Sequence, residues 1–229
     1  MDLIEQSLKR ILSDRISPQL WLALVLVQVF GFSAILLTID DVFGEPGPLL
    51  FGGLAIMLIV TTGLLFVTSW KMVRALGDAT ADDPGGVGPW IGWTIVAFLP
   101  VSIVYGLLEY GDAIGSNWLL SAILLSVGLA LMAPLLVRAD GKAIQVEGPS
   151  FSEILQYWAK NYIRLFGAYL AISLPILIAS DGLAAIKSTN LAVTIGLSIA
   201  SAAVAFVSTL ICAGITVSAY REAEGAAKR

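Results

Sequence analysis

The spacing of apolar and polar residues divides the chain into two kinds of stretch. Over residues 2–16, Leu3, Ile4, Leu8, Ile11 and Leu12 fall on one side of a helix, and Glu5, Gln6, Lys9, Arg10 and Ser13 fall mostly on the other. That period predicts an amphipathic helix lying in a membrane interface. Residues 151–162 repeat the pattern: Phe151, Ile154, Leu155, Trp158, Tyr162 and Leu165 share one face, and Glu153, Gln156, Lys160 and Arg164 the other. Ser150, with Glu153 three residues on, has the spacing of a capping box that starts this second surface helix. Elsewhere the alternation gives way to apolar runs at about residues 20–38, 49–70, 90–108, 118–137, 163–180 and 191–217. At ~1.5 Å per residue such runs match a hydrocarbon core of ~30 Å. The expected fold is therefore an all-α polytopic membrane bundle of six transmembrane helices, forming a single integral-membrane domain over residues 1–229.

Breaks in the pattern refine this picture. Pro18 introduces the first span, and Pro100 and Pro175 lie inside the third and fifth, where each frees the carbonyl four residues back and predicts a bend. Pro134 falls close to the end of the fourth. The sixth span carries Gly196, Ala200 and Ala203 at steps of four and three, with Ser201 and Ala205 alongside, a small-residue seam that predicts close approach to a neighbour and an enclosed position. Residues 77–89 are rich in Gly, Pro and Asp and read as a surface linker. The Gly-Gly-Val-Gly within them lacks the Lys-Ser/Thr pair and glycine spacing of a phosphate loop.

Similar sequences follow alternate spans: Val73-Arg74-Ala75-Leu76-Gly77, Val137-Arg138-Ala139-Asp140-Gly141, and Tyr220-Arg221 with Gly225 four residues on. They suggest three hairpins closing on one face. With six spans, that face carries twelve of the thirteen Lys and Arg, all except Lys187, so the positive-inside rule makes it cytoplasmic and puts both termini there. Five of the six tryptophans, Trp21, Trp70, Trp90, Trp93 and Trp158, fall near that boundary. Asp2 and Glu5, ahead of any long apolar run, do not read as a cleavable signal.

Composition agrees. Hydrophobic residues make up 58% of the chain, charged residues 13%, and the mean hydropathy is +0.89, whereas roughly a quarter of a soluble domain is charged. There is no histidine, which removes the commonest metal ligand and proton shuttle. Cys212, within an apolar run, reads as a small buried hydrophobe. Gln28, the strongly polar side chain of the first span, either hydrogen-bonds to a neighbouring helix or marks a polar path. Asp40, Asp41, Glu45, Glu109, Asp112 and Asp181 gather on the opposite side, and their spacing fits solvated loop charge better than a cation site. Lys160 and Arg164 are placed to contact anionic lipid headgroups, although topology alone would also select basic residues there.

The polar helix start at Phe151-Ser152-Glu153-Ile154, followed by Trp158-Ala159-Lys160-Asn161-Tyr162 and Arg164-Leu165-Phe166-Gly167, resembles a bacterial family of six-helix integral-membrane proteins. That family includes the YciC-like proteins and the membrane domain of some glycerophosphodiester phosphodiesterases. The resemblance implies a bacterial cytoplasmic (inner) membrane location and brings no catalytic residue, cofactor or metal ligand with it. The sequence thus leads to a non-enzymatic multi-pass membrane protein, a scaffold or regulator in envelope upkeep, with a small transporter or lipid-handling protein as the alternative. Its expected partners are membrane lipids and other membrane proteins or a second copy, met through the small-residue face of the sixth span, and not nucleic acid.

Overall fold

A computed structural model of the protein describes residues 3–13, 15–31, 48–79, 85–110, 117–145, 148–186 and 189–229. Every element among them is helical. In chain order these are α1 (Leu3–Leu12), α2 (Pro18–Leu24) continued by a π-helical segment (Val25–Gly31), α3 (Pro48–Leu76), α4 (Val87–Tyr110), α5 (Trp118–Leu131), α6 (Ala133–Ile144), α7 (Phe151–Ala184) and α8 (Leu191–Ala227). Among the described residues, α3, α4, α7 and α8 are each long and apolar enough to cross a membrane, and α5 with α6 would make a fifth if the bent pair is one span. The expected first span falls on α2 and the π-helical segment, which Ser17 caps and Pro18 begins. The remainder of that span and the acidic loop after it lie outside the described residues.

One of the expected spans is broken. The run at 118–137 does not stay straight: it breaks at Met132, and α6 leaves α5 at 61°. Pro134, in the first turn of α6, has no amide to continue the α5 ladder, and its fixed φ suits a helix start. Pro100 and Pro175 both lie inside continuous helices. The residue that leaves helical geometry in α7 is Asn161 (φ −116°, ψ 16°), at the join expected between surface helix and span. Its Nδ2 donates to the Tyr157 carbonyl at 3.0 Å, satisfying an acceptor that the kink exposes. The capping box at the start of α7 is complete, with Glu153 N donating to Ser150 Oγ at 3.2 Å and Ser150 N to Glu153 Oε2 at 2.6 Å.

At ~1.5 Å per residue, the 37 residues of α8 extend ~55 Å. The helix is longer than a bilayer core, and it is the most enclosed of the four long apolar helices, as its small residues suggest. Its two ends have different surroundings. Toward its C-terminus it packs among α1, α6 and α7, and there Ile215, Val217, Ala219 and Tyr220 are buried together with Leu3, Ile144, Ile154 and Trp158. Along the apolar runs, by contrast, Ile59 is 71% exposed and Ile163 86%, as expected of side chains that meet lipid. Ile154, Trp158 and Leu165, on the apolar face of the surface helix, are fully buried in protein. α1 likewise docks on α8, with Ser7 buried and donating to the Ile211 carbonyl at 2.8 Å, where Gly214 leaves no room for a Cβ. Leu8 and Leu12, from its apolar face, remain exposed. A serine facing a glycine brings the two backbones close, and this fixes α1 on the side of Ser7.

The small-residue seam of α8 is open at Gly196 and closed at Ser201. A Cβ at Gly196 would meet no described atom within 4 Å. Ser201 instead exchanges hydrogen bonds with Ser180 of α7, each hydroxyl bonding the other's carbonyl at 3.0 and 3.2 Å.

The three similar sequences interlock. Arg74 Nη1 donates to the Ala143 carbonyl at the end of α6 (3.0 Å), Arg138 donates to the Pro149 carbonyl just before α7, and Arg221 donates to the Gly77 carbonyl at the end of α3. Gly77 lies against Ile144, and Gly141 against the ring of Tyr220. Arg10 and Arg15 add hydrogen bonds to the Leu76 carbonyl and to Asp78, which sits in the left-handed region (φ 55°). Burial, then the neighbouring charge of Arg15, lowers the Arg10 pKa from its ordinary value, and Asp78 offsets part of this.

Tyr220 cannot swing away from Gly141, because Gln145 Nε2 holds its hydroxyl at 2.6 Å and the ring is buried. Gly141→Ala should therefore destabilise the fold by about 1–3 kcal/mol, the usual range for overpacking, measured as unfolding in mixed micelles of increasing SDS fraction. Gly196→Ala should leave the transition in place. Coincident transitions for the two variants would mean that the Gly141 contact does not matter to stability.

Candidate functional site

Above the packed end, the helices diverge around a cavity of about 600 Å³. Its walls are mostly apolar, with Phe66 of α3, Phe98 of α4 and Leu136 of α6 among them, and a set of hydroxyl and amide groups interrupts them. Gln28 is one of these, and its Nε2 donates to Ser69 Oγ of α3 at 2.8 Å. The polar residue of the first span thus meets a neighbouring helix and faces the cavity at the same time.

The charged group on the cavity wall is Asp140, only 8% exposed. Its Oδ1 accepts from Trp90 Nε1 of α4 at 3.1 Å, and its Oδ2 accepts from Thr216 Oγ1 of α8. Local geometry explains its position. Once α6 turns at Met132 it lies across the end of the bundle, and Leu136 and Asp140, four residues apart, share the side that lines the cavity. Trp90 begins the apolar part of α4 and packs edge-on against Phe66, with ring centroids 6.0 Å apart, which aims its N–H at the carboxylate. Farther along the wall lie Tyr169 of α7 and Cys212 of α8, both buried. Ser173 of α7 is 2% exposed, lines the cavity, and has no hydrogen-bond partner for its Oγ among the described residues.

In sequence, Asp140 stands beyond the fourth apolar run, within one of the repeated stretches, and nothing beside it points to a cavity. A signal was present: Leu136, Asp140 and Ile144 stand at four-residue steps, so an apolar helix face continues through the acid. Trp90, expected at the lipid boundary, is instead 5% exposed and serves this carboxylate.

The other sequence candidates lie elsewhere. Arg164 forms a two-point pair with Glu222 of α8, at 2.9 and 3.0 Å, and the same carboxylate accepts from Gln6 of α1 (2.8 Å) and from the Tyr157 hydroxyl (3.4 Å). Three helices are tied at Glu222, where the beginning of α1 and the end of α8 meet. Lys160, one turn earlier on α7, is exposed. Asp40, Asp41, Glu45, Asp112 and Lys187 lie outside the described residues, as does the side chain of Glu109, while Asp181 is half-buried near the far end of α7.

No family model matches the chain, and no curated protein or solved structure matches it.

The Glu222 pairing separates Lys160 from Arg164 in what each should do. Arg164→Gln should speed amide exchange across α1 and the start of α7 by about 3- to 10-fold, equally in anionic and neutral nanodiscs, because a protein contact is lost. Lys160→Gln should alter exchange in anionic lipid alone, if at all. An Arg164→Gln effect confined to anionic lipid would make the pair with Glu222 secondary to a lipid contact.

Proposed function

We propose that the protein receives an amphipathic small molecule or lipid in the cavity between its helices, and acts as a small transporter or lipid-handling protein of a bacterial inner membrane. One observation carries this reading: a carboxylate is buried on the wall of an otherwise apolar cavity, held by an indole and a hydroxyl. Acids enclosed among apolar helices are costly, and they mark ligand or ion sites far more often than packing. A cavity of about 600 Å³ is also within the usual range for small-molecule sites. Binding rather than catalysis is proposed, because the groups around Asp140 are hydroxyls, an indole and a thiol with no second acid or base beside it among the described residues.

The proposal includes six spans, with both termini cytoplasmic. In its favour are the charge distribution and the Gln6–Glu222 hydrogen bond, which brings the two ends of the chain to one side of the bundle. Membrane lipids are its immediate partners, with exposed Lys160 available to anionic headgroups and the open face around Gly196 available to lipid or a second copy. The likeness to YciC-like membrane proteins is part of the same proposal.

Two measurements test it. A neutral amphiphile such as decanol should bind saturably to the protein in nanodiscs, and Thr62→Phe, which fills the cavity from an exposed position, should weaken that binding about tenfold or more. Wild-type protein without a saturable component would overturn the binding role. For topology, cysteine introduced at Gly44 or Ser116 should react with an impermeant thiol reagent from outside, and cysteine at Ala81 or Ala226 should not. The opposite labelling would reverse the orientation.

A further inference from the structure

Resting on the cavity reading above, we propose that the ligand is a cationic amphiphile, and that Asp140 receives its ammonium group while its apolar body lies between α3, α4 and α7. A carboxylate offers about four lone-pair positions. Two of those on Asp140 are taken, one by Trp90 and one by Thr216, and both donors are uncharged. The basic residues nearest in sequence, Arg138 and Lys142, stand two residues to either side, a helix spacing that turns them away from Asp140, and Arg138 is directed to the Pro149 carbonyl. The protein therefore positions a buried acid and supplies neutral donors to orient it.

Three ligand chemistries can be compared on that basis. An anionic headgroup would place like charge beside the carboxylate in a site of low dielectric, which is unfavourable. A neutral alcohol could take one lone pair but would leave the charge unbalanced. An alkylammonium supplies both the opposite charge and up to three donors, and a charge-assisted hydrogen bond is about twice as strong as a neutral one. Ser173 offers a second polar contact from α7, since its buried Oγ lacks a partner among the described residues and lies on the same cavity. Phe66, Phe98 and Leu136 provide the apolar walls that an alkyl chain requires.

The experiment titrates decylamine, decanol and decanoate into the full-length protein in nanodiscs of net-neutral lipid, with empty nanodiscs subtracted and calorimetry as the readout. Decylamine should bind about ten- to a hundredfold more tightly than decanol, the ratio expected of one charge-assisted contact, with decanoate the weakest. Asp140→Asn, nearly isosteric, should bring decylamine to within about twofold of decanol, and Thr62→Phe should weaken both. Equal binding of amine and alcohol to the wild type would overturn the cationic ligand while leaving the cavity reading intact. An amine preference that persists in Asp140→Asn would overturn it too, by placing the ammonium elsewhere. If none of the three probes binds saturably, both readings fall. The wild-type comparison requires no variant, so it decides the matter even if Asp140→Asn does not fold.

Discussion

The exposed carbonyls at helix ends are the constraint around which one half of this protein is arranged. The last turn of a helix leaves carbonyls without intrahelical partners, and where several helices converge, water cannot reach all of them. Here guanidinium groups take that place. Arg10, Arg15 and Arg221 converge on the end of α3, Arg74 bonds the end of α6, and Arg138 bonds the residue before the start of α7. Arg74 thus reaches the helix that carries the second repeat and Arg221 reaches the end of the first, while Arg138 ties α6 to the start of α7. Loss of one such contact would loosen two elements.

This dual use explains what the sequence could and could not reveal. Basic residues clustered after alternate apolar runs meet at one end of the described helices, because topology and helix capping select the same residue type at the same place. The helix period, the capping box at Ser150 and the enclosed character of α8 were legible for a similar reason, since each depends on neighbours within a few residues. Partnership across the bundle was not. The apolar stripe through Ile154 and Trp158 is the same whether it faces lipid or protein, and only the packing against it decides. Arg164 likewise appeared suited to a lipid phosphate, and found Glu222, 58 residues away.

Asp140 belongs to the second category. Its burial depends on the turn at Met132, and that turn depends on Pro134 falling just after the end of an apolar run. Read linearly, the run simply ends in Arg138, Asp140 and Lys142; folded at 61°, the same residues form a helix lying across the bundle with its acid facing inward. A proline near the end of a span can thus bring a polar segment back under the membrane layer. Trp90 follows the same logic, because an indole at a boundary can meet either water or a buried acceptor.

The contrast between the two ends of the bundle gives the cavity its mechanical character. Its base is built from α6 and α8 where Val137, Ile144, Ile215 and Tyr220 are fully or almost fully buried and Gly141 and Tyr220 are in tight contact, so Asp140, Trp90 and Thr216 sit on a rigid support. Its walls rise into stretches of α3 and α4 that expose much of their apolar surface and touch each other little, and the Gln28–Ser69 hydrogen bond ties α3 to the first span instead. A rigid polar floor keeps the orientation of the carboxylate fixed, and loosely joined walls let helices separate without disturbing it. On the proposed reading, a ligand enters between the walls from the lipid side and meets a polar group that is already in place. Recognition and access are, on that reading, assigned to different parts of the protein, with the arginine-capped end fixing the first and lipid-facing contacts setting the second.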